Sequence, residues 1–475
     1  MTSGPIARTL ILFALPTLAS NVLQSLNGSV NAVLVGRFLG EAALAATANA
    51  NNIMFLIFAA IFGFGMAATV MVGQAAGRRD MDAARRAFGG AVGFCAIIGI
   101  IMAGVGWWAS PAILRALATP DSAFPLALTY LRVMCVAIPS SVLSVMIAMG
   151  LRGTGDAVTP LRFMMLSVGL DLALNPVLIL GLGPIPAMGI AGSALSTALA
   201  GTISLIGLIG WIYARDLPLR LRGAELAYLR PRWRELRFII MRGMPMGAQM
   251  LIISGAGLIM AGLVNRHGLL TAAAFGATLQ LWAYIQMPAL AIGAAVTAMA
   301  SQNIGANLWH RVGRITRAGV FANVGMTGLL IALLLAFDRP VLALFLGGDS
   351  PAIGIARHMQ FIASWSFLLF GATMVLFGTM RANGAVYEPL IILALSLYPV
   401  RLGFYAVMNP IIGTDALWWS FPAGSLVSLA LAILTYRYGP WRRRAPTRAY
   451  AGASAGAGVE PSAENGLENG NKPTR

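Results

Sequence analysis

Charge is what this 475-residue chain has least of: 10% of its residues are Asp, Glu, Lys or Arg, against 58% hydrophobic. With a mean hydropathy of +0.78, it lies far from an ordinary soluble domain, where about a quarter of residues are charged. Lysine is nearly missing, with Lys472 alone, and cysteine is limited to Cys95 and Cys135. Neither cysteine has a CxxC neighbour, so a disulfide scaffold and a thiolate metal site are both excluded. Both read as small apolar packing residues. The three histidines (His267, His310, His358) fall near the ends of apolar runs. No HExxH, GxGD, paired acids or Ser/His arrangement occurs within those runs, and the chain does not read as a membrane-embedded enzyme.

What is present is apolar sequence in lengths that cross a hydrocarbon core. Twelve spans are expected, near 9–35, 43–72, 87–109, 123–148, 160–182, 188–213, 238–264, 270–300, 316–337, 353–378, 387–408 and 416–436. The first run lacks a charged leader and a small-residue cleavage site, so it reads as a span and not a signal peptide. The net charge of +17 comes from arginines on alternate connections: Arg78, Arg79, Arg85 and Arg86, then Arg152, the stretch from Arg215 to Arg242, Arg311 to Arg317, Arg381, and Arg437 to Arg444. Opposite connections hold only Arg37, Arg115, Arg266 and Arg339. This positive-inside pattern implies a multi-pass membrane protein with both termini inside, in contact with lipids and not with nucleic acid; the expected location is a bacterial cytoplasmic membrane.

The chain also contains itself twice. Arg152-x-x-Gly155-x-x-x-x-Pro160-Leu161 recurs as Arg381-x-x-Gly384-x-x-x-x-Pro389-Leu390, and the same shift carries Pro16 onto Pro245 and Leu34-Val35-x-Arg37 onto Leu263-Val264-x-Arg266. With one residue deleted, Gln74-x-x-Gly77 falls on Gln302-x-x-Gly305. Six spans per copy give both copies one orientation, related by an axis along the membrane normal. The expected fold is therefore all-α, two six-helix bundles in one membrane. Its divisions are an N-terminal lobe at 1–213, a linker at 214–237 that is either solvated or laid along headgroups, a C-terminal lobe at 238–437, and a disordered tail at 438–475.

Polar residues inside spans need a reason. Asp171 is the carboxylate left mid-span once loop and tail acids are set aside, with Ser167 and Asn175 one turn to either side. Pro176 follows and frees local backbone carbonyls. The first span carries Ser20, Gln24, Asn27 and Asn31 at helical spacing, and the sixth carries Ser193 and Thr197 at i, i+4. A carboxylate, amide oxygens and a hydroxyl from three helices suit a proton or a small hard cation, although Ser, Thr and Asn also serve simply as glue between helices. The second copy has Val400 where Asp171 would map, with Arg401 beside it, and offers the neutral Gln249, Gln280 and Tyr284. With Gln24 and Asn27, these are assigned to an adaptable substrate cavity, the alternative being plain packing. Pro16, Pro176 and Pro245 are assigned as hinges.

Leu15-Pro16, Val35-Gly36-Arg37-Phe38-Leu39-Gly40, Gly73-Gln74-Ala75-Ala76-Gly77, Leu151-Arg152-Gly153-Thr154-Gly155-Asp156, Asn175-Pro176 and Gly189-Ile190-Ala191-Gly192-Ser193-Ala194-Leu195-Ser196-Thr197 together resemble the multidrug and toxic compound extrusion (MATE) transporters, over about 8–437. The resemblance implies a V-shaped pair of bundles that exports organic cations or other amphipathic drugs in exchange for H⁺ or Na⁺, without a cofactor. It implies a cation-coupling site, which could also bind Na⁺, at Asn31, Asp171, Asn175 and Thr197. Two departures stand out: Asn31 replaces an acid of the first span, and the Asn/Asp order of the fifth span is reversed. One negative charge remains, and a proton is slightly favoured. The expected state is a monomer. A flippase for lipid-linked saccharides is the alternative within the superfamily.

Overall fold

The structure is a computed structural model that describes residues 1–116, 119, 121, 123–181, 186–347 and 350–443. It is helical, and among the described residues there is no strand. The first six helices are α1 (Ile6–Leu39), α2 (Glu41–Gly77), α3 (Met81–Ala116), α4 (Phe124–Thr154), α5 (Val158–Leu180) and α6 (Gly189–Ala214). The second half holds α7 (Trp233–Asn265), α8 (Leu269–Gly305), α9 (Trp309–Ala336), the short α10 (Asp338–Leu346), α11 (Ala352–Ala363), α12 (Ser366–Ala382), α13 (Tyr387–Leu395), α14 (Arg401–Ile412) and α15 (Asp415–Tyr438). Eleven are long and apolar enough to cross a membrane, α13 and α14 counting as one, and the bent pair α11–α12 supplies the twelfth. Large apolar side chains such as Leu258, Phe321 and Trp108 face outward, as lipid-facing surfaces require.

The tenth span is bent: α11 and α12 meet at 45°. No proline sits at the break. Ser366 donates its hydroxyl to the Ala363 carbonyl at 2.6 Å, and Ser364 accepts the indole N–H of Trp282 at 3.1 Å. Serine hydroxyls that take local carbonyls compete with the helical ladder and bend it.

Both Arg-x-x-Gly turns close a helix in the same way. Gly155 at φ 103° and Gly384 at φ 76° lie in the left-handed region where a side chain would be strained. Asp156 then caps α5, accepting the backbone N–H groups of Val158 and Thr159 at 3.0 and 2.9 Å.

The connection between the halves is anchored on the first lobe, while most of its side chains stay exposed. It folds onto α3, with Leu219 buried and a 3₁₀ turn at Gly223–Leu229. Arg85 pairs with Glu225 at 2.9 Å, and Tyr228 donates to Asp82 at 2.6 Å. Helix α7 already begins at Trp233. The tail expected to be disordered from 438 starts in order: Trp441 is 1% exposed, stacks on Tyr436 at 5.2 Å, and its carbonyl accepts from Asn383 at 2.6 Å. Its indole ring supplies the apolar burial that composition alone hid. Residues 444–475 lie outside the described residues.

Each lobe has its own apolar core, and a third cluster crosses between them, where Leu10 and Phe13 of α1 meet Ile292 and Met299 of α8. The hydrogen bonds joining the lobes lie at the arginine-rich end. Gln74 donates to the Ala382 carbonyl and Gln302 to the Gly153 carbonyl, both at 2.8 Å. Arg311 donates to the Gly4 carbonyl at 3.1 Å. A side chain at Gly77 would run into the Gln302 carbonyl, and one at Gly305 into that of Gln74. Only glycine permits α2 and α8 to cross this closely.

Candidate cation-coupling site

Three helices of the first lobe converge on one carboxylate. Helix α5 passes through Pro176 and α1 through Pro16 without interruption. Each proline lacks the N–H that would reach one turn back, so each removes a ladder hydrogen bond and loosens its helix there. Helix α7 likewise continues through Pro245. The three assigned hinge residues are thus weak points within continuous helices.

Asp171 of α5 is 2% exposed. Its carboxylate accepts hydrogen bonds from Asn27 Nδ2 of α1 at 3.0 Å, from Ser196 Oγ of α6 at 2.6 Å, and from Thr197 Oγ1 at 3.3 Å to each oxygen. Ser196 also reaches the Asp171 backbone carbonyl at 3.0 Å. One turn along, Asn31 Oδ1 accepts from Asn175 Nδ2 at 2.8 Å and from Ser193 Oγ at 2.9 Å. The Tyr130 hydroxyl of α4 lies beside Asn31 and within electrostatic range of Asp171.

Asn31, Asp171, Asn175 and Thr197 therefore meet in one polar layer, together with Asn27. No cation faces the carboxylate: among the described residues none of the ion pairs includes Asp171. Arg132 lies instead over the Trp107 ring at 5.3 Å, and Arg162 is exposed. Donors satisfy the anion's lone pairs without cancelling its charge, which leaves a negative site inside a span. Two amide oxygens in the layer, Asn27 Oδ1 and Asn175 Oδ1, are buried and have no hydrogen-bond partner. Oxygens of this kind beside a carboxylate can, on a rotated amide, accept a hydrogen bond from the protonated acid or complete the shell of a small hard cation.

The residues assigned to a substrate cavity do not share this convergence. Gln24 and Gln280 are exposed, and Tyr284 is half-buried. Gln249 is buried and donates to the Val386 carbonyl at 3.3 Å, tying α7 to the turn before α13. Asn27 belongs to the Asp171 layer.

Two participants escaped the sequence reading. Ser196 was passed over because Ser193 and Thr197 alone satisfy an i, i+4 stripe, yet it makes the shortest bond to Asp171. Tyr130 sits in an apolar run of the fourth span, where nothing in the local spacing marks its hydroxyl.

Comparison with known proteins bears on this geometry. The family model described as MatE matches residues 16–177 and 245–407, once in each repeat. The probable multidrug resistance protein YoeA of Bacillus subtilis is 32% identical over 443 residues, covering 93% of this chain and 95% of its own. The probable multidrug resistance protein NorM of Deinococcus radiodurans is 28% identical over 438 residues, covering 89% and 94%. Among solved structures, a mutant of the Vibrio cholerae MATE transporter VcmN superposes with a TM-score of 0.84 at 20% identity, covering 92% of this chain and 97% of that one. A MOP superfamily transporter from Pyrococcus furiosus gives 0.82 at 20%, covering 92% and 96%. At this identity the superpositions establish the fold: twelve spans in two bundles.

Proposed function

The chain belongs to the MATE family of multi-pass membrane transporters, and on that basis we propose that it exports amphipathic drugs, organic cations among them, in exchange for inward-moving protons. The observation that carries the coupling is Asp171: a buried carboxylate, held by three neutral side chains and opposed by no cation. A proton arriving there cancels the charge and turns one carboxylate oxygen from acceptor to donor. The donors of Asn27, Ser196 and Thr197 then lose their anion. Rotation of the Asn27 amide offers its unpartnered Oδ1 to the new O–H. The contact between α1 and α5–α6 is re-sorted by this exchange, and Pro16 and Pro176 are where those helices bend most cheaply. Sodium is the competing cargo. It would need the oxygens of Asn27, Asn175 and Thr197 turned inward, whereas Asn27 presents its N–H₂ and Thr197 its hydroxyl proton to Asp171.

The two lobes are the moving parts. Joined through Gln74 and Gln302 at the arginine-rich end, they form a state closed on the cytoplasmic side under the positive-inside reading. Proton arrival from the other side biases the lobes between outward- and inward-open arrangements. The protein works in this reading as a monomer in a bacterial cytoplasmic membrane, its outward apolar surface against lipid.

The test is drug movement in inverted vesicles under pH and Na⁺ gradients imposed separately. Drug accumulation that follows the pH gradient and ignores Na⁺ supports proton exchange. Accumulation that follows Na⁺ alone rejects it.

A further inference from the structure

The second lobe holds a buried charge of the opposite sign, with donors that meet no acceptor. Arg401 lies midway along the span Tyr387–Ile412 and is 7% exposed. Among the described residues no carboxylate pairs with it, and its Nε and one terminal nitrogen are buried without a hydrogen-bond partner. Its guanidinium carbon lies over the face of Phe421, 3.4 Å from the ring centroid. A cation–π contact offsets part of the charge but none of the N–H donors.

Two more orphan donors lie on the elements packed around it, one in the same span and one on α15. Helix α15 presents Phe421, Gly424 and Ser428 on one face, spaced i, i+3, i+7. A side chain at Gly424 would lie 3.1 Å from the Ser396 carbonyl and 3.6 Å from the Arg401 Cβ, so α15 packs closely on this stretch of the span. The hydroxyls of Ser396 and Ser428 are buried and unpartnered. A π-helical turn at Ser396–Val400 separates Ser396 from Arg401. Such turns interrupt the ladder and recur at functional sites. Beyond Phe421, Trp282 packs at 4.9 Å and Phe367 against it at 5.4 Å.

We propose that Arg401, Ser396 and Ser428 form an oxyanion subsite in the second lobe that takes the carboxylate of an aromatic amphiphile. The guanidinium and two hydroxyls supply charge-assisted donors, and the Phe421–Trp282–Phe367 cluster supplies the apolar wall beside them. Cargo of this site is anionic or zwitterionic. The subsite is separate from the Asp171 layer and binds whether or not Asp171 couples transport.

The test is binding of a matched pair, naphthalene-2-carboxylate and naphthalene-2-carboxamide, to the full chain in phosphatidylcholine nanodiscs by calorimetry. The wild type binds the carboxylate about ten-fold tighter than the amide. Arg401→Gln removes that difference and keeps the amide's affinity, while Arg401→Lys keeps part of the difference. Equal affinities in the wild type overturn the proposal without recourse to any variant, as does a preference that survives Arg401→Gln. A preference lost when phosphatidylglycerol is added in place of part of the phosphatidylcholine assigns the subsite to a lipid headgroup and overturns the cargo assignment.

Discussion

Gln302 of α8 donates to the Gly153 carbonyl of α4 at 2.8 Å, and its repeat mate Gln74 donates to the Ala382 carbonyl at the same distance. Residues 153 and 382 are 229 positions apart, the shift that relates the Arg-x-x-Gly turns. The duplication thus builds a pair of reciprocal fastenings between lobes. Each glutamine crosses into the other lobe and grips the end of the helix before its turn.

If these fastenings close the arginine-rich end, loosening them opens it. Each buried amide-to-carbonyl bond contributes about 1 kcal/mol, a roughly five-fold change in population. Spin labels at Arg78→Cys and His310→Cys are expected to show a longer distance population growing in Gln302→Ala and growing further with Gln74→Ala added. Gly305→Leu places a side chain against the Gln74 carbonyl and is expected to favour the open arrangement more strongly than either.

The linker docks on α3 through Tyr228, whose hydroxyl is pushed above its ordinary value of 10.0, first by the hydrogen bond it gives Asp82 and then by burial. A group raised on folding contributes stability that is complete below its unfolded value and is lost as pH rises through the folded one. Linker docking should therefore hold at neutral pH and weaken above about pH 10. Tyr228→Phe removes this alkaline transition and weakens docking at neutral pH. Protease cleavage within 214–232, followed against pH, measures both.

Trp441 closes the end of the second lobe, and replacing it leaves a hole. Trp441→Ala should lower stability by about 3 kcal/mol, the lower end for a buried Trp, because stacking on Tyr436 and the seat for Asn383 go with it. Thermal unfolding in detergent checks this against Trp233→Ala, whose exposed ring should cost little.

Much of the site was legible because helical spacing is exact enough to align side chains. Asp171 with Asn175, Asn31 in the α1 stripe and Thr197 with Ser193 all stand at helical steps along single helices, whereas Asn27, assigned from sequence to the substrate cavity, joins Asp171 only across helices. What crosses between helices was not legible. Ser196 reaches Asp171 because α6 packs along α5, and Tyr130 reaches Asn31 from α4. No periodicity within one segment encodes such meetings. The same holds for the fold. Long apolar runs marked twelve spans, but the bend between α11 and α12 arises from serine hydroxyls at a place without proline or glycine. The linker's docking depends on Arg85–Glu225 and Tyr228–Asp82, pairs more than 130 positions apart.

Asn31 stands where the resemblance places an acid, with Asn175 and Ser193 as its hydrogen-bond partners. Asn31→Asp adds a second titrating group next to Asp171. Drug export should then depend more steeply on pH, with a slope nearer two protons than one. Initial export rates across a pH series in vesicles give that slope.

The most direct measurement concerns Asp171 itself. In inverted vesicles, Asp171→Asn should abolish drug accumulation driven by an imposed pH gradient while keeping energy-independent exchange of labelled for unlabelled drug, since the amide cannot carry a proton but still fills the space. Gradient-driven accumulation at the wild-type level in Asp171→Asn would contradict the account.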